Sequence, residues 1–236
     1  MVEAILWDND RVLVDTEEMF FAATCDALAR AGVTLTPAFY LECMLVNGRN
    51  VFDLVEQRGW TPQQVRALRA ERDADYAERL GSGARVMDSV AQTLQLLHMK
   101  FRMAVVTTSL RSNFKIAHQA SGLLDFFELA VCREDYVKAK PHPEPYLTAM
   151  RLLDVPAAHC IAVEDSARGV KSAVSAGLRV VAIPNSFTRG SDFSGASAVL
   201  DSIRLLPQFL MGCDNQRRRE GSRAAGARRA CAGEPS

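Results

Sequence analysis

The sequence lacks the cysteine and histidine patterns of metal-binding or disulfide-stabilised proteins. None of its six cysteines forms a Cys-x-x-Cys pair, and its four histidines are isolated from one another. Zinc-ligand spacing is therefore absent, and a disulfide framework is not expected in a chain of 236 residues. Neither a histidine metal site nor a serine–histidine pair has support. We expect the cysteines to be reduced and to behave as small apolar residues.

A secretion signal and long apolar segments are also missing. The first apolar run, residues 2–7, is short, contains Glu3 and is followed directly by Asp8. No stretch approaches the roughly 20 apolar residues that span a bilayer. These absences predict a cytoplasmic protein with no membrane partner.

The chain has no net charge, because 28 Lys and Arg balance 28 Asp and Glu. This balance gives no indication of nucleic acid as a partner. The charge is uneven, since residues 215–236 hold six arginines and two glutamates, a net charge of +4. We predict that this Arg-, Ala- and Gly-rich tail is disordered. Nucleic-acid binding by the tail is the less favoured alternative.

Short apolar runs alternate with amphipathic stretches along most of the chain. The predicted strands are residues 2–7, 102–107, 129–132, 160–163, 179–183 and 198–200. The predicted helices between them are residues 90–98, 112–121, 143–153 and 167–176. This alternation predicts an α/β fold with a doubly wound, Rossmann-like parallel sheet. In such sheets the functional site forms at the carboxyl ends of the strands.

Residues 16–83 interrupt the alternation and are predicted to be helical throughout. Thr36-Pro37 and Thr61-Pro62 each place an N-cap residue before a proline suited to a first helical turn. We therefore predict an all-helical cap domain inserted after the first strand. The catalytic core would comprise residues 1–15 and 84–214. The connections would run through residues 12–16 and 81–83.

Two aspartates follow the first predicted strand. Asp8 and Asp10 are two residues apart, so they leave the sheet together at its carboxyl edge. Asp8 could attack phosphorus to form an aspartyl-phosphate, and Asp10 could protonate the leaving oxygen and then activate water. Taken alone, a turn or helix-capping role is an equally good interpretation.

Two later segments of the sequence carry groups that could bind phosphate. Thr107 ends the 102–107 strand, and Thr108 and Ser109 follow it, where hydroxyl and backbone N–H groups suit phosphate oxygens. Lys140 precedes Pro141 in a proline-rich segment, which restricts its backbone. Its ammonium could neutralise both a phosphoryl group and the nucleophile.

An acidic pair, Glu164-Asp165, follows the 160–163 strand. Two carboxylates where a buried strand meets a helix are costly unless they bind a cation. Oxygen ligands with a phosphate partner indicate Mg²⁺. Gly169, in the helix that follows, would let that helix approach the sheet closely.

The order and spacing of these signals resemble the haloacid dehalogenase superfamily, in its subgroup of helical-cap phosphatases and β-phosphoglucomutases. Asp8-Asn9-Asp10 with residues 12–17 resembles its first motif, and Thr107, Lys140 and residues 164–169 resemble the next three. The resemblance covers roughly residues 1–210. It implies that Asp8 and Asp165 bind Mg²⁺ through their side chains and Asp10 through its backbone carbonyl, with Glu164 in support.

Arg11 departs from the family pattern, which has glycine at this position. Glycine suits the tight turn after the second aspartate, where a Cβ would crowd the backbone. An arginine could strain that turn, or its guanidinium could pair with phosphate or with Asp10. A catalytically weakened relative that binds a phosphorylated ligand therefore stays an alternative.

The residues favour a phosphoric monoester hydrolase acting on a small phosphorylated metabolite of the sugar phosphate or phosphoglycolate type. A β-phosphoglucomutase-type mutase is the other alternative. The resemblance implies that such mutases have a histidine four residues after the threonine that corresponds to Thr16, and a lysine in the cap. In this chain the corresponding position is Phe20, and residues 62–80 contain no lysine. Gly48 and Arg49 are the cap candidates for substrate specificity. We expect a monomer or weak dimer.

Overall fold

The computed structural model describes residues 1–46 and 49–212, with only the backbone described at residues 45 and 46. Gly48 and the tail predicted to be disordered, residues 215–236, lie outside the described residues.

The described chain forms eight strands in two sheets. In chain order they are β1 (Ala4–Trp7), β2 (Val14–Asp15), β3 (Arg85–Val86), β4 (Arg102–Val106), β5 (Leu129–Val131), β6 (Cys160–Glu164), β7 (Arg179–Ala182) and β8 (Ala198–Val199). Six of them form a parallel sheet in the order β5-β4-β1-β6-β7-β8. β2 and β3 pair with each other in an antiparallel ribbon. The six strands predicted from apolar runs are the six of the parallel sheet.

Nine α-helices and a π-helix accompany the strands in the described residues. They are α1 (Glu17–Arg30), α2 (Pro37–Tyr40), the π-helix (Leu41–Val46), α3 (Asp53–Glu56), α4 (Pro62–Gly81), α5 (Val90–Leu97), α6 (Arg111–His118), α7 (Glu144–Leu153), α8 (Ala167–Ser175) and α9 (206–212). Within the described ranges, none of these helices has the length and apolar character needed to cross a bilayer.

The central strands are apolar because both faces of the sheet are covered. Every residue of β1 and β6 is buried. Side chains alternate across β1, so Ile5 and Trp7 enter one apolar cluster while Ala4 and Leu6 enter the other. The first cluster includes residues of α5 and α6, and the second includes residues of α7 and α8. This two-sided burial confirms the doubly wound core.

The insert after β1 is helical, as predicted, and the described part of residues 16–83 contains no strand. The Thr36 hydroxyl caps α2 by accepting the Phe39 N–H. Thr61 and Gln64 form a reciprocal capping box at the start of α4. These helices enclose their own apolar cluster, which includes Leu28. The fold is therefore a parallel-sheet core with an all-helical cap.

The β2–β3 ribbon lies where the chain leaves the core and returns to it. The 12–16 segment, predicted only as a connection, contains β2. The sequence does not indicate the ribbon, because strands of two residues carry no measurable periodicity. The division at residues 15/16 and 83/84 stays a prediction.

Gly169 allows α8 to lie against the end of β6. A Cβ built on this residue would lie 2.0 Å from the carboxyl carbon of Glu164. We expect Gly169→Ala to displace that buried carboxylate and to lower the free energy of unfolding by about 1–3 kcal/mol, the usual cost of overpacking. Urea denaturation measures this change.

The control is Gly81→Ala at the end of α4, where an added Cβ meets nothing within 4 Å. Because alanine has a higher helix propensity than glycine, this variant should be as stable as wild type or slightly more so. Equal stability of the two variants would contradict the close approach at Gly169.

Candidate active site

The parallel sheet brings the predicted site residues together at one edge. β1 lies between β4 and β6, so the residues that follow these three strands are neighbours. Asp8 follows β1, Thr107 follows β4, Glu164 ends β6, and Asp165 follows it. Lys140 reaches the same edge from the loop before α7. Four segments distant in sequence therefore contribute to a single site.

Lys140 is buried between two carboxylates. Its Nζ lies 2.7 Å from Asp8 Oδ1 and 2.7 Å from Glu164 Oε1, and it donates to the Val106 carbonyl at 2.9 Å. Burial by itself lowers the pKa of this lysine, but the carboxylates of Asp8 and Glu164 raise it above its ordinary value. The ammonium therefore stays charged, and all three of its hydrogen atoms have acceptors.

The acidic groups at this edge outnumber the charge of Lys140. Asp8, Glu164 and Asp165 are buried, and each offers an oxygen within 4.8 Å of the others. Burial, followed by repulsion from Glu164, raises the pKa of Asp8 from 3.8 to about 7. Burial and repulsion from Asp8 raise the pKa of Asp165 well above its ordinary range. One ammonium does not neutralise three carboxylates, so the cluster has the charge and the oxygen donors that suit a divalent cation.

Asp10 is hydrogen-bonded through both carboxylate oxygens. Its Oδ1 accepts from the Thr16 hydroxyl and from Asn9 Nδ2. Its Oδ2 accepts from the Thr107 hydroxyl at 3.3 Å and from the Ser109 hydroxyl at 3.2 Å. These four donors fix the carboxylate beside the acidic cluster.

Two of the predicted phosphate-binding hydroxyls thus contact Asp10. Thr107 is fully buried, and its hydroxyl also accepts the Ser109 N–H at 3.0 Å. Thr108 lines the cavity that contains Asp8, Asp10, Lys140 and Asp165. Their role in binding phosphate stays a prediction.

Two cavities that share Asp10, Glu17, Thr108 and Arg168 in their linings adjoin these residues. The smaller, of about 90 Å³, is also lined by Asp8, Asp165 and Lys140. The larger, of about 350 Å³, lies between cap and core. Its lining includes the core residues Asp10, Thr108 and Arg168 and the cap residues Glu17, Phe20, Tyr40, Arg72 and Tyr76. A small molecule in the larger cavity could therefore place one group in the smaller.

Arg11 adopts the left-handed backbone conformation that favours glycine, with φ 60°. Its guanidinium carbon lies 3.9 Å from the centre of the Phe187 ring. The same guanidinium is 3.6 Å from Asp15 and 3.7 Å from Glu18. The strained turn expected from the sequence is therefore present. Arg11 also lines the smaller cavity, and its ion pairs are with Asp15 and Glu18 rather than with Asp10. Pairing with phosphate stays a prediction.

Arg49 is exposed, and its backbone N–H donates to the Cys43 carbonyl at 2.7 Å. Among the described residues that line the two cavities, Arg49 does not appear. A specificity role for it stays a prediction, and Gly48 lies outside the described residues.

Two further side chains contact the acidic cluster and were not predicted. The Tyr146 hydroxyl donates to Glu164 Oε1 at 2.6 Å, and Asn185 Nδ2 donates to Asp165 Oδ2 at 2.6 Å. Asn185 follows β7, so the rule that sites form at strand ends could have identified it. Tyr146 lies inside α7 and carries no comparable sequence signal.

Known proteins are similar to this chain over most of their length. The chain is 31% identical to Protein CbbY of Rhodobacter capsulatus over 206 residues, covering 83% of this chain and 91% of that protein. It is 32% identical to a phosphoglycolate phosphatase of Cupriavidus necator over 218 residues, covering 88% and 92%.

A similar solved structure is that of a CbbY mutant from Rhodobacter sphaeroides in complex with xylulose-(1,5)bisphosphate. It superposes with a TM-score of 0.74 at 26% identity, covering 86% of this chain and 95% of that chain. The sequence model of the haloacid dehalogenase-like hydrolases matches residues 5–183, more than half of the chain. The chain therefore belongs to the haloacid dehalogenase-like hydrolase family.

Proposed function

We propose that this phosphoric monoester hydrolase is a Mg²⁺-dependent phosphatase that acts through an aspartyl-phosphate on Asp8. The observation that carries the proposal is the buried cluster of Asp8, Glu164 and Asp165 around Lys140, with Asp10 beside it. A nucleophile, an acid/base and a cation site thereby meet at one cavity.

The chemistry has two displacements at phosphorus. A carboxylate oxygen of Asp8 bonds to the phosphorus as the bond to the substrate oxygen breaks, and Asp10 gives its proton to that leaving oxygen. Asp10 then takes a proton from a water molecule, whose oxygen attacks the phosphorus and displaces Asp8. Free phosphate and an alcohol leave, and both aspartates return to their starting states. Lys140 holds the Asp8 carboxylate in place throughout.

The donor set fits Mg²⁺, since the cluster offers hard carboxylate oxygens and an excess of negative charge. Asp8 and Asp165 would hold the ion through their side chains, Asp10 through its backbone carbonyl, and Glu164 would support them. When bound, Mg²⁺ supplies charge neutralisation for the phosphoryl oxygens and the nucleophile.

The substrate in this proposal is a small phosphorylated metabolite of the sugar phosphate or phosphoglycolate type. The larger cavity, about 350 Å³, has room for a small metabolite. Arg168 from the core and Arg72 from the cap both line it, so a second acidic group could be bound there. The names of the similar proteins, a phosphoglycolate phosphatase and a CbbY bound to xylulose-(1,5)bisphosphate, agree with this class.

Hydrolysis is favoured over the mutase alternative by the lining of the same cavity. Phe20 supplies an apolar ring where the resemblance implies a histidine in the mutases. The cap helix α4 contains arginines and no lysine. Arg72 stacks on Phe20, at 4.4 Å from the ring centre, and could replace such a lysine only in part.

A cytoplasmic monomer or weak dimer completes the proposal. The compartment is inferred from the free thiols of Cys25, Cys43, Cys132 and Cys160 among the described residues, which a reducing environment preserves.

The proposal predicts Mg²⁺-dependent hydrolysis of p-nitrophenyl phosphate and of at least one member of a panel of small phosphate monoesters. Asp8→Asn should abolish turnover, because the amide is not a nucleophile, while leaving the protein folded. EDTA should remove the activity and Mg²⁺ should restore it. Steady-state phosphate release measures all three. Turnover by the Asp8→Asn variant would contradict a mechanism through an aspartyl-phosphate on Asp8.

Arg11 allows the weakened-relative alternative to be tested. We expect wild type to be active and Arg11→Gly to keep activity within about tenfold, because glycine adopts the same turn without Cβ crowding. Arg11→Asn is the matched control, since asparagine tolerates the left-handed region but lacks the guanidinium. An inactive wild type whose activity appears in both variants would instead support a phospho-ligand-binding protein.

The raised pKa of Asp8 predicts the pH dependence of the metal-free protein. Between about pH 4 and pH 7 the folded protein keeps a proton on Asp8 that the unfolded chain has lost. The free energy of unfolding therefore falls as the pH rises through this window. Mg²⁺ favours the ionised carboxylates, so it should stabilise the protein more at about pH 8 than at about pH 5.

Urea denaturation at the two pH values, with EDTA or with Mg²⁺, measures both effects. In Asp8→Asn the pH-dependent decrease should be smaller, because this group no longer titrates. An equal Mg²⁺ stabilisation at both pH values would contradict a site built from these carboxylates.

A further inference from the structure

A buried chain of polar side chains leads from α6 to Asp10. His118, at the end of α6, places its Nε2 2.7 Å from Asn9 Oδ1. Asn9 Nδ2 in turn lies 3.2 Å from Asp10 Oδ1. His118 is 3% exposed and Asn9 is 1% exposed. Asn9, the middle residue of this hydrogen-bonded series, lies between the two proposed catalytic aspartates in the sequence.

The imidazole of His118 is neutral and has a partner at each nitrogen. Burial lowers the pKa of His118 to about 4, and its ring packs 4.6 Å from the Phe114 ring, centre to centre. Its Nδ1 lies 3.0 Å from the Ser121 hydroxyl. A buried polar group costs free energy unless it is hydrogen-bonded, so these two contacts keep the ring in one orientation.

The Asp10 carboxylate sets the direction of the hydrogen bonds. The Asn9 amide presents its N–H₂ group to Asp10 Oδ1 and its oxygen to His118, so Oδ1 accepts whether Asp10 is ionised or carries its proton on Oδ2. The Asn9 amide oxygen also only accepts, so His118 donates from Nε2. The Nδ1 atom is then an acceptor beside the Ser121 hydroxyl, whose one hydrogen can go to it or to the His118 carbonyl at 3.1 Å. The directions are therefore fixed from Asp10 through Asn9 as far as His118 Nε2.

The Asn9 carbonyl also accepts hydrogen bonds from the turn that contains Arg11. Its carbonyl accepts the N–H groups of Leu13 at 2.8 Å and of Val12 and Val14 at 3.3 Å. Arg11 itself has the unfavourable φ of 60°. An Asn9 side chain anchored on His118 therefore restrains the residue from which both Asp10 and this turn extend.

We propose that Asn9 and His118 act together as positioning residues that orient the Asp10 carboxylate for proton transfer. This inference rests on the proposed phosphatase chemistry. The rigid amide N–H of Asn9 faces Oδ1, whereas two of the hydroxyls, those of Thr107 and Ser109, face Oδ2. Hydroxyls can rotate to accept a hydrogen bond and an amide N–H cannot, so Oδ2 is the oxygen that gives and takes the proton.

The test compares two substrates of nearly equal shape, p-nitrophenyl phosphate and phenyl phosphate. Phenolate is the poorer leaving group, so its release depends more on a proton from Asp10. General acid catalysis contributes about 10²–10⁴-fold, and loss of orientation should remove part of it. We expect His118→Leu to lower kcat/KM for phenyl phosphate at least about tenfold more than for p-nitrophenyl phosphate.

The second proton transfer gives an independent readout. A misplaced Asp10 also activates water poorly, so the aspartyl-phosphate should accumulate. Stopped-flow measurements with p-nitrophenyl phosphate should then show a burst of nitrophenolate, followed by slow turnover. We call the kcat/KM for phenyl phosphate divided by that for p-nitrophenyl phosphate the substrate ratio. His118→Gln keeps an N–H donor for Asn9, so its substrate ratio should be close to that of wild type.

Asn9→Leu provides a second variant should His118→Leu fail to fold. When both fold, the double variant should lose no more of the substrate ratio than either single variant, because the two residues form one unit. Leu97→Ala is the control, since Leu97 is buried in α5 and its truncation destabilises the same apolar core without removing a polar group.

The proposal fails if the substrate ratio of the variants equals that of wild type, or if Leu97→Ala changes the ratio equally. It also fails if the effects of Asn9→Leu and His118→Leu on the ratio are additive. If the wild type hydrolyses neither aryl phosphate in the presence of Mg²⁺, the phosphatase proposal itself is overturned. This outcome differs from a failure of the positioning proposal, in which the wild type is active.

Discussion

The contact of Lys140 with Asp8 and Glu164 is the interaction on which the site depends. Three carboxylates are buried at one sheet edge, and burial, followed by their mutual repulsion, raises the pKa of Asp8 and Asp165. The ammonium, held at 2.7 Å from two of them, offsets part of the cost. The remaining negative charge makes the site suitable for a cation. The same excess charge that destabilises the metal-free protein would therefore bind the metal.

The fold supplies this contact from elements distant in sequence. Asp8 follows the central strand β1, Glu164 ends the neighbouring β6, and Lys140 comes from the loop before α7. Gly169 permits the start of α8 to approach Glu164, because any Cβ there would overlap the carboxylate. Tyr146, buried in α7, donates to the same oxygen of Glu164 that accepts from Lys140. Packing and charge are thus coupled at a single carboxylate.

The turn after Asp10 holds an arginine in a backbone conformation that favours glycine. Arg11 adopts this left-handed conformation at a cost of about 1–2 kcal/mol. Its guanidinium stacks on Phe187 and lies 3.6 and 3.7 Å from Asp15 and Glu18, beyond hydrogen-bond distance of either carboxylate. The three N–H groups that donate to the Asn9 carbonyl restrain the turn from its other side.

The sequence by itself determined the parallel-sheet core, the helical insert and the residues at the strand ends, because apolar periodicity and strand-end position are local properties. It also indicated Asp8, Asp10, Lys140 and the Glu164-Asp165 pair, since their spacing resembles a known family. Only the tertiary structure decided which hydroxyls face Asp10, where the Arg11 guanidinium packs and that His118 reaches Asn9. These contacts join side chains whose partners lie up to about 180 residues away, and no local pattern records such a distance.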